Sequence, residues 1–134
     1  MVKLLIENSV LIDGNGSSPV RNAGVLIAEG KIEAVGRGLD APRGAERIDA
    51  EGMTLMPGLM DLHVHMAGES LGRQMRLLEW SQSTPTALKL YHAARNAKSC
   101  LEAGFTTVRC IDIEEEIVWG PSLREAIELG LIPG

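Results

Sequence analysis

The residues from Pro57 to His65 alternate in character. Asp61, His63 and His65 share one parity, and Met60, Leu62, Val64 and Met66 share the other. Successive side chains of a β-strand point to opposite faces, so this run predicts a strand over 59–65. One face is apolar and fit to pack beneath helices. The other carries three ionisable groups in a row. Two imidazoles two residues apart on one strand face are near enough to share a metal ion, and imidazole nitrogen is a common Zn²⁺ ligand. A bare His-x-His pair also recurs by chance and is more often structural, since catalytic zinc typically takes three protein ligands. The setting adds weight. The strand leads into a long loop, and active sites of parallel α/β folds lie at the carboxyl ends of strands.

The chain before this strand reads differently from the chain after it. Residues 4–12 are strand-like, and Asp13-Gly14-Asn15-Gly16-Ser17-Ser18-Pro19 is a dense turn signal. Val25-Leu26-Ile27-Ala28 and Ile32-Glu33-Ala34-Val35-Gly36, joined across Gly30, predict a hairpin. Residues 47–50 and 54–56 predict two more strands, parted at Glu51-Gly52. Residues 1–56 are thus expected to form a small β module. After the 59–65 strand, Thr84-Pro85 predicts a helix start, with Thr84 as N-cap and Pro85 at the first helical position. Ala87, Leu90, Tyr91, Ala94, Ala97 and Leu101 fall on one helical face, and Gly104 is a stop. A strand over 105–111 follows at once. Ser122 and Glu125 are spaced as a capping box that opens a short helix ending at Gly130. Strand, helix, strand, helix in this order means parallel βαβ packing over 57–134. There is no internal repeat and no low-complexity segment.

Charge and composition exclude several functions. Thirteen Lys and Arg stand against 18 Asp and Glu, for a net charge of −5, which argues against nucleic-acid binding and against a basic membrane patch. Aromatic residues are 3%, so the core must be aliphatic. The apolar run at the N-terminus is only Leu4-Leu5-Ile6, too short for a secretory signal. No segment approaches the roughly 18–20 apolar residues of a membrane span. Cys100 and Cys110 have no CxxC spacing, so a reduced, cytoplasmic protein is expected.

With these motifs in place, the chain resembles the metal-dependent amidohydrolase superfamily over essentially its whole length. Pro57-Gly58-Leu59-Met60-Asp61-Leu62-His63-Val64-His65 looks like that family's signature at the first barrel strand. Gly30-Lys31-Ile32, then Ile48-Asp49-Ala50-Glu51-Gly52 leading to Met56-Pro57-Gly58, looks like its N-terminal β module. Ala103-Gly104-Phe105-Thr106-Thr107-Val108-Arg109 is similar to its second strand, and Leu123-Arg124-Glu125-Ala126-Ile127 with Gly130-Leu131-Ile132-Pro133-Gly134 to the approach to its third. The combination points to the imidazolonepropionase-related branch that includes Xaa-Pro dipeptidases.

The resemblance implies a (β/α)₈ barrel joined to a small β-sandwich, with one or two divalent metal ions, zinc above all, at the barrel mouth. The metal activates a water that attacks an amide or similar carbonyl. His63 and His65 match the two first-strand ligands. The other family ligands, a carboxylated lysine and two further histidines, and an aspartate proton shuttle have no matching position here. No catalytic residue is therefore expected within this chain. A complete barrel needs about 250 residues, and Leu59 to Gly134 supplies 134 − 59 + 1 = 76. The expected fold is α/β: a β-sandwich-type module over 1–56, then the first two to three βα units of an incomplete barrel over 57–134. The intact protein is expected to be a peptidase-like hydrolase of C–N bonds, acting on a small-molecule or dipeptide-like substrate and forming a homo-oligomer. The 134-residue chain alone is expected to be inactive. Two other readings are a non-catalytic relative that binds or assembles, and one half of a split enzyme.

The remaining polar residues divide more simply. Asp61 is either a metal ligand or, more in keeping with its place, a group that orients its neighbours by hydrogen bonds. Arg109 is a candidate for substrate contact or for pairing with Glu, and the family's usual Asp after this Arg is replaced by Cys110, with Asp112 further on. His92 reads as a boundary residue, Glu114-Glu115-Glu116 as a solvated acidic loop, and the cysteines as small apolar residues. Trp80 and Trp119 suit a pocket wall and plain packing equally. The loop over 66–83, with Glu69, Arg73, Arg76 and Glu79, is consistent with a polar substrate.

Overall fold

A computed structural model of the chain describes residues 3–68, 83–111 and 119–134. The chain forms two compact units, Met1–Pro57 and Gly58–Gly134.

In the first unit, β1 (Lys3–Leu11), β2 (Val20–Ala28), β3 (Lys31–Gly36) and β4 (Glu46–Asp49) make one sheet in the order β3-β2-β1-β4, and the short β5 (Thr54–Leu55) also pairs with β1. The β2–β3 hairpin turns on Glu29 and Gly30, at φ 54° and 73°. Positive φ at both central residues suits the right-handed twist of the paired strands, and the glycine meets that requirement without strain. β2 begins at Val20, five residues before the apolar run that predicted it. Its first residues, Val20-Arg21, pair with Leu11 and Val10 and are solvent-exposed, so no apolar alternation marked them. β1 pairs antiparallel with β2 and parallel with both β4 and β5. Leu5 and Ser9 are fully buried on β1, and the Ser9 hydroxyl donates to the Ala23 carbonyl at 2.8 Å. Leu11, Ala23 and Val25, with Ile27 and Leu55 against them, form the unit's apolar cluster.

In the second unit, β6 (Leu59–Val64) and β7 (Phe105–Cys110) pair in parallel. Between them in sequence lies α1 (Thr86–Glu102), and α2 (Trp119–Glu128) follows β7. The core is small and aliphatic: Met66, Ala67, Ala93, Ala97 and Leu123, ringed by Val64, Val108, Cys110 and Ile127. β6 and β7 approach so closely at one end that a methyl on Gly58 would overlap the Thr106 side chain.

Four local expectations are corrected here. The cap of α1 is Pro85 and not Thr84. Pro85 has an extended ψ of 139°, and its carbonyl accepts the first helical bonds, from Leu88 N–H at 2.9 Å and Lys89 N–H at 3.1 Å. The fixed φ of proline serves the last extended residue as well as the first helical one. The buried face of α1 runs through Lys89, Ala93 and Ala97, while Ala87, Leu90, Tyr91 and Leu101 are exposed. At 100° per residue the covered stripe is turned roughly a quarter circle from the apolar one. Alanines let the helix approach the sheet and the turn after β6 closely, and the bulkier side chains lie outside that contact. On β6, Val64 and, just beyond it, Met66 pack as expected, but Met60 and Leu62 are exposed at 66% and 62%. Ser122 does not cap α2, which already begins at Trp119. Pro121 fits the first turn because an N–H there has no intrahelical partner to lose. At the other end Gly130 turns left-handed at φ 69°, and Leu131 N–H returns to the Ala126 carbonyl at 2.9 Å. Glu69, Arg73, Arg76, Glu79, Trp80, Asp112 and Glu114–Glu116 lie outside the described residues.

Candidate metal centre

β6 runs parallel to β7, and its carboxyl end carries His63 within the strand and His65 one residue beyond it. The two imidazole rings are exposed, with centroids 5.4 Å apart and planes at 62°. A ring centre lies roughly 3.2 Å from a zinc held about 2.1 Å from its nitrogen, so two imidazoles sharing one ion tetrahedrally stand about 5.2 Å apart. The observed spacing fits a shared ion. Nitrogen donors of this kind suit zinc, while hard cations such as magnesium prefer oxygen.

Asp61 does not join the imidazoles. Its Oδ1 accepts the backbone N–H of His63 at 3.0 Å, so the carboxylate turns back on its own strand. The pairing also slips here: Asp61 is opposite Val108 and Val64 opposite Cys110, three steps on β6 against two on β7. One extra residue on β6 makes a bulge, and a bulge re-aims side chains that strict alternation would place on one face. Among the described residues, no group of three or more His, Cys, Asp or Glu side chains gathers to hold a metal ion.

Arg109 is exposed on β7 and lines a cleft of about 650 Å³ between β7, α1 and α2. Its apolar floor includes Phe105, Val108 and Ile127, with Arg124 and Glu128 among the polar residues; neither His63 nor His65 lines it. Neither cysteine is in a disulfide and both are half-buried beside the core, and His92 is half-buried on α1.

Two residues of α1 carried no motif. Lys89 is buried at 5% exposure on the covered face of α1. Asn96 lies two turns further along and donates from Nδ2 to the carbonyls of Met66 and Gly68, both at 2.8 Å. Asparagine is a poor residue for a helix interior, and that cost was the one sequence signal that Asn96 offers.

A family model for the Amidohydrolase family matches residues 54–134, which include the whole histidine-bearing strand. The chain belongs to the amidohydrolase family. Among curated relatives, this amidohydrolase is similar to the dihydroorotase of Citrifermentans bemidjiense, 34% identical over 110 residues, 82% of this chain and 22% of that one. It is also similar to the 5-methylthioadenosine/S-adenosylhomocysteine deaminase of Symbiobacterium thermophilum, 34% identical over 121 residues, 80% of this chain and 28% of that one. Among solved structures, a Xaa-Pro dipeptidase with bound methionine in its active site superposes with a TM-score of 0.80 at 28% identity, over 98% of this chain and 31% of that one. The ochratoxinase of A. niger superposes with a TM-score of 0.78 at 28% identity, over 99% of this chain and 29% of that one. The amidohydrolase chain therefore spans about a quarter of the length of the curated relatives it matches. No helix among its described residues is long and apolar enough to cross a membrane.

Proposed function

We propose that His63 and His65 are two metal ligands of a hydrolase that cleaves an amide or related C–N bond in a small, dipeptide-like substrate. The observation that carries this reading is the pair of imidazoles 5.4 Å apart at the carboxyl end of a strand with a parallel neighbour, in a chain of the amidohydrolase family. The similarity to a Xaa-Pro dipeptidase supports a peptide-like substrate. The similarity to dihydroorotases supports the broader class of amide C–N bonds.

A bound zinc would supply a water of lowered pKa and a Lewis acid for the carbonyl. The chain's own residues prepare its place. Each imidazole must be neutral to present a nitrogen lone pair, which makes binding weaken as pH falls. Asp61, by taking the His63 N–H, sets the backbone from which that imidazole projects. Two nitrogen donors leave a tetrahedral ion short of the three protein ligands usual in catalytic zinc sites. The 134-residue chain by itself is accordingly inactive in this reading.

Zinc titration against a competing chelator tests the ligands. Either His63→Ala or His65→Ala is expected to weaken binding by at least roughly tenfold, as loss of a direct donor costs no less than the 10–100-fold typical for loss of an outer partner. Unchanged affinity in both variants would sink the assignment. A panel of Xaa-Pro dipeptides and dihydroorotate with added Zn²⁺ is expected to show no turnover by the 134-residue chain. Chelator-sensitive hydrolysis would overturn the incomplete-site part of the reading.

A further inference from the structure

His65 sits just past the hydrogen-bonded ladder. β6 ends at Val64, whose carbonyl takes the Ile111 N–H at 2.9 Å. The His65 carbonyl instead closes a turn by accepting the Gly68 N–H at 3.1 Å. The place of the second imidazole therefore depends on the turn over 65–68 more than on the sheet. That turn is held from α1 in two ways. Met66 and Ala67 are buried against Ala93, Ala97 and Leu123. The carbonyls of Met66 and Gly68, on either side of Ala67, both accept from the side-chain nitrogen of Asn96 at 2.8 Å.

The orientation of this amide follows from its neighbours. Its nitrogen faces two carbonyl oxygens, and its oxygen faces the Arg95 guanidinium, with Nη2 at 3.2 Å. A primary amide places two donors on one atom, which two carbonyls separated by one residue require. Aspartate would set a carboxylate against both carbonyl oxygens, and alanine would leave them without these donors. An asparagine that costs helix propensity thus stands where it ties the helix to the turn that follows His65.

We infer that Asn96 is a positioning residue: it holds the turn after β6 so that the His65 imidazole stays beside that of His63. The inference rests on the reading of the two histidines as ligands, and partners of this kind typically govern metal affinity by 10–100-fold. Two measurements on the purified protein test it: Zn²⁺ affinity by chelator competition, and the His65 ring Cε1–Hε1 resonance in metal-free protein. Asn96→Ala is expected to weaken zinc binding by roughly tenfold or more and to move the His65 resonance. Lys98→Gly, an exposed change on the same helix that leaves the turn untouched, is expected to lower stability while leaving both readouts in place. Asn96→Asp keeps the side-chain volume and gives the same decision if the alanine variant does not fold. A His65 resonance unmoved by loss of the amide, or a zinc affinity no lower than that of Lys98→Gly, overturns the inference. If wild-type protein binds no zinc, the metal-centre reading fails while the His65 resonance still decides the role of Asn96.

Discussion

Gly58 stands just before β6, with the Thr106 side chain of β7 filling the space that a Cβ would need. Overpacking of this kind typically costs about 1–3 kcal/mol. Gly58→Ala is expected to lower the urea unfolding free energy of the second unit by an amount in that range, and Thr106→Ala in the same chain, which removes the two nearest atoms, is expected to restore part of it. A wild-type midpoint in Gly58→Ala would show that the strands separate freely. Ser9 is the corresponding case in the first unit. Its buried hydroxyl donates to the Ala23 carbonyl, and Ser9→Ala is expected to cost about 0.5–1.5 kcal/mol in equilibrium unfolding, because it removes that hydrogen bond.

At the scale of elements, the turn between β4 and β5 is tied to β1. Asp49 Oδ1 accepts the Glu51 N–H at 2.9 Å, Oδ2 accepts the Asn8 side-chain amide at 3.0 Å, and Gly52 N–H reaches the Asn8 carbonyl at 2.8 Å. The Glu51 N–H first, and then the Asn8 amide, hold the Asp49 carboxyl below its ordinary range. A carboxyl whose pKa folding lowers stabilises the native state fully above about pH 4, and that contribution is lost as pH falls through the folded value. The stability gap between wild type and Asp49→Asn is therefore expected to be widest near pH 7 and to narrow by pH 3. Urea midpoints at the two values check it, and a gap that stays constant would remove Asp49 from the acid response. The strands flanking this turn, the Glu29-Gly30 hairpin and the Gly104 stop were all legible in the chain, because each is written in local residues. The covered face of α1 and the start of α2 were not. A helix of alanines and scattered leucines has two plausible faces, and contact with the turn after β6 selects between them.

Across the whole molecule, much apolar surface lies open among the described residues. Met60 and Leu62 on β6, Leu90 and Tyr91 on α1, and Ile32 and Val35 on β3 are all exposed. β6 and β7 form a sheet of two strands, and sheet edges with apolar neighbours invite association. The 134-residue chain is expected to shift from monomer towards larger species over the micromolar range in sedimentation velocity. A single monomeric species throughout that range would show that these surfaces are covered or inert. The sequence by itself determined that β6 is a strand, the two-residue spacing of His63 and His65, the turn glycines and the order of strands and helices. Each of these follows from backbone preference and side-chain alternation over a few residues. Tertiary structure alone decided that the β6–β7 register slips between Asp61 and Val64, that α1 buries Lys89 and Ala93 and leaves Tyr91 outside, and that Asn96 reaches back 30 residues to the turn after His65. Those outcomes depend on which distant groups meet, and neither a period nor a motif along the chain encodes that.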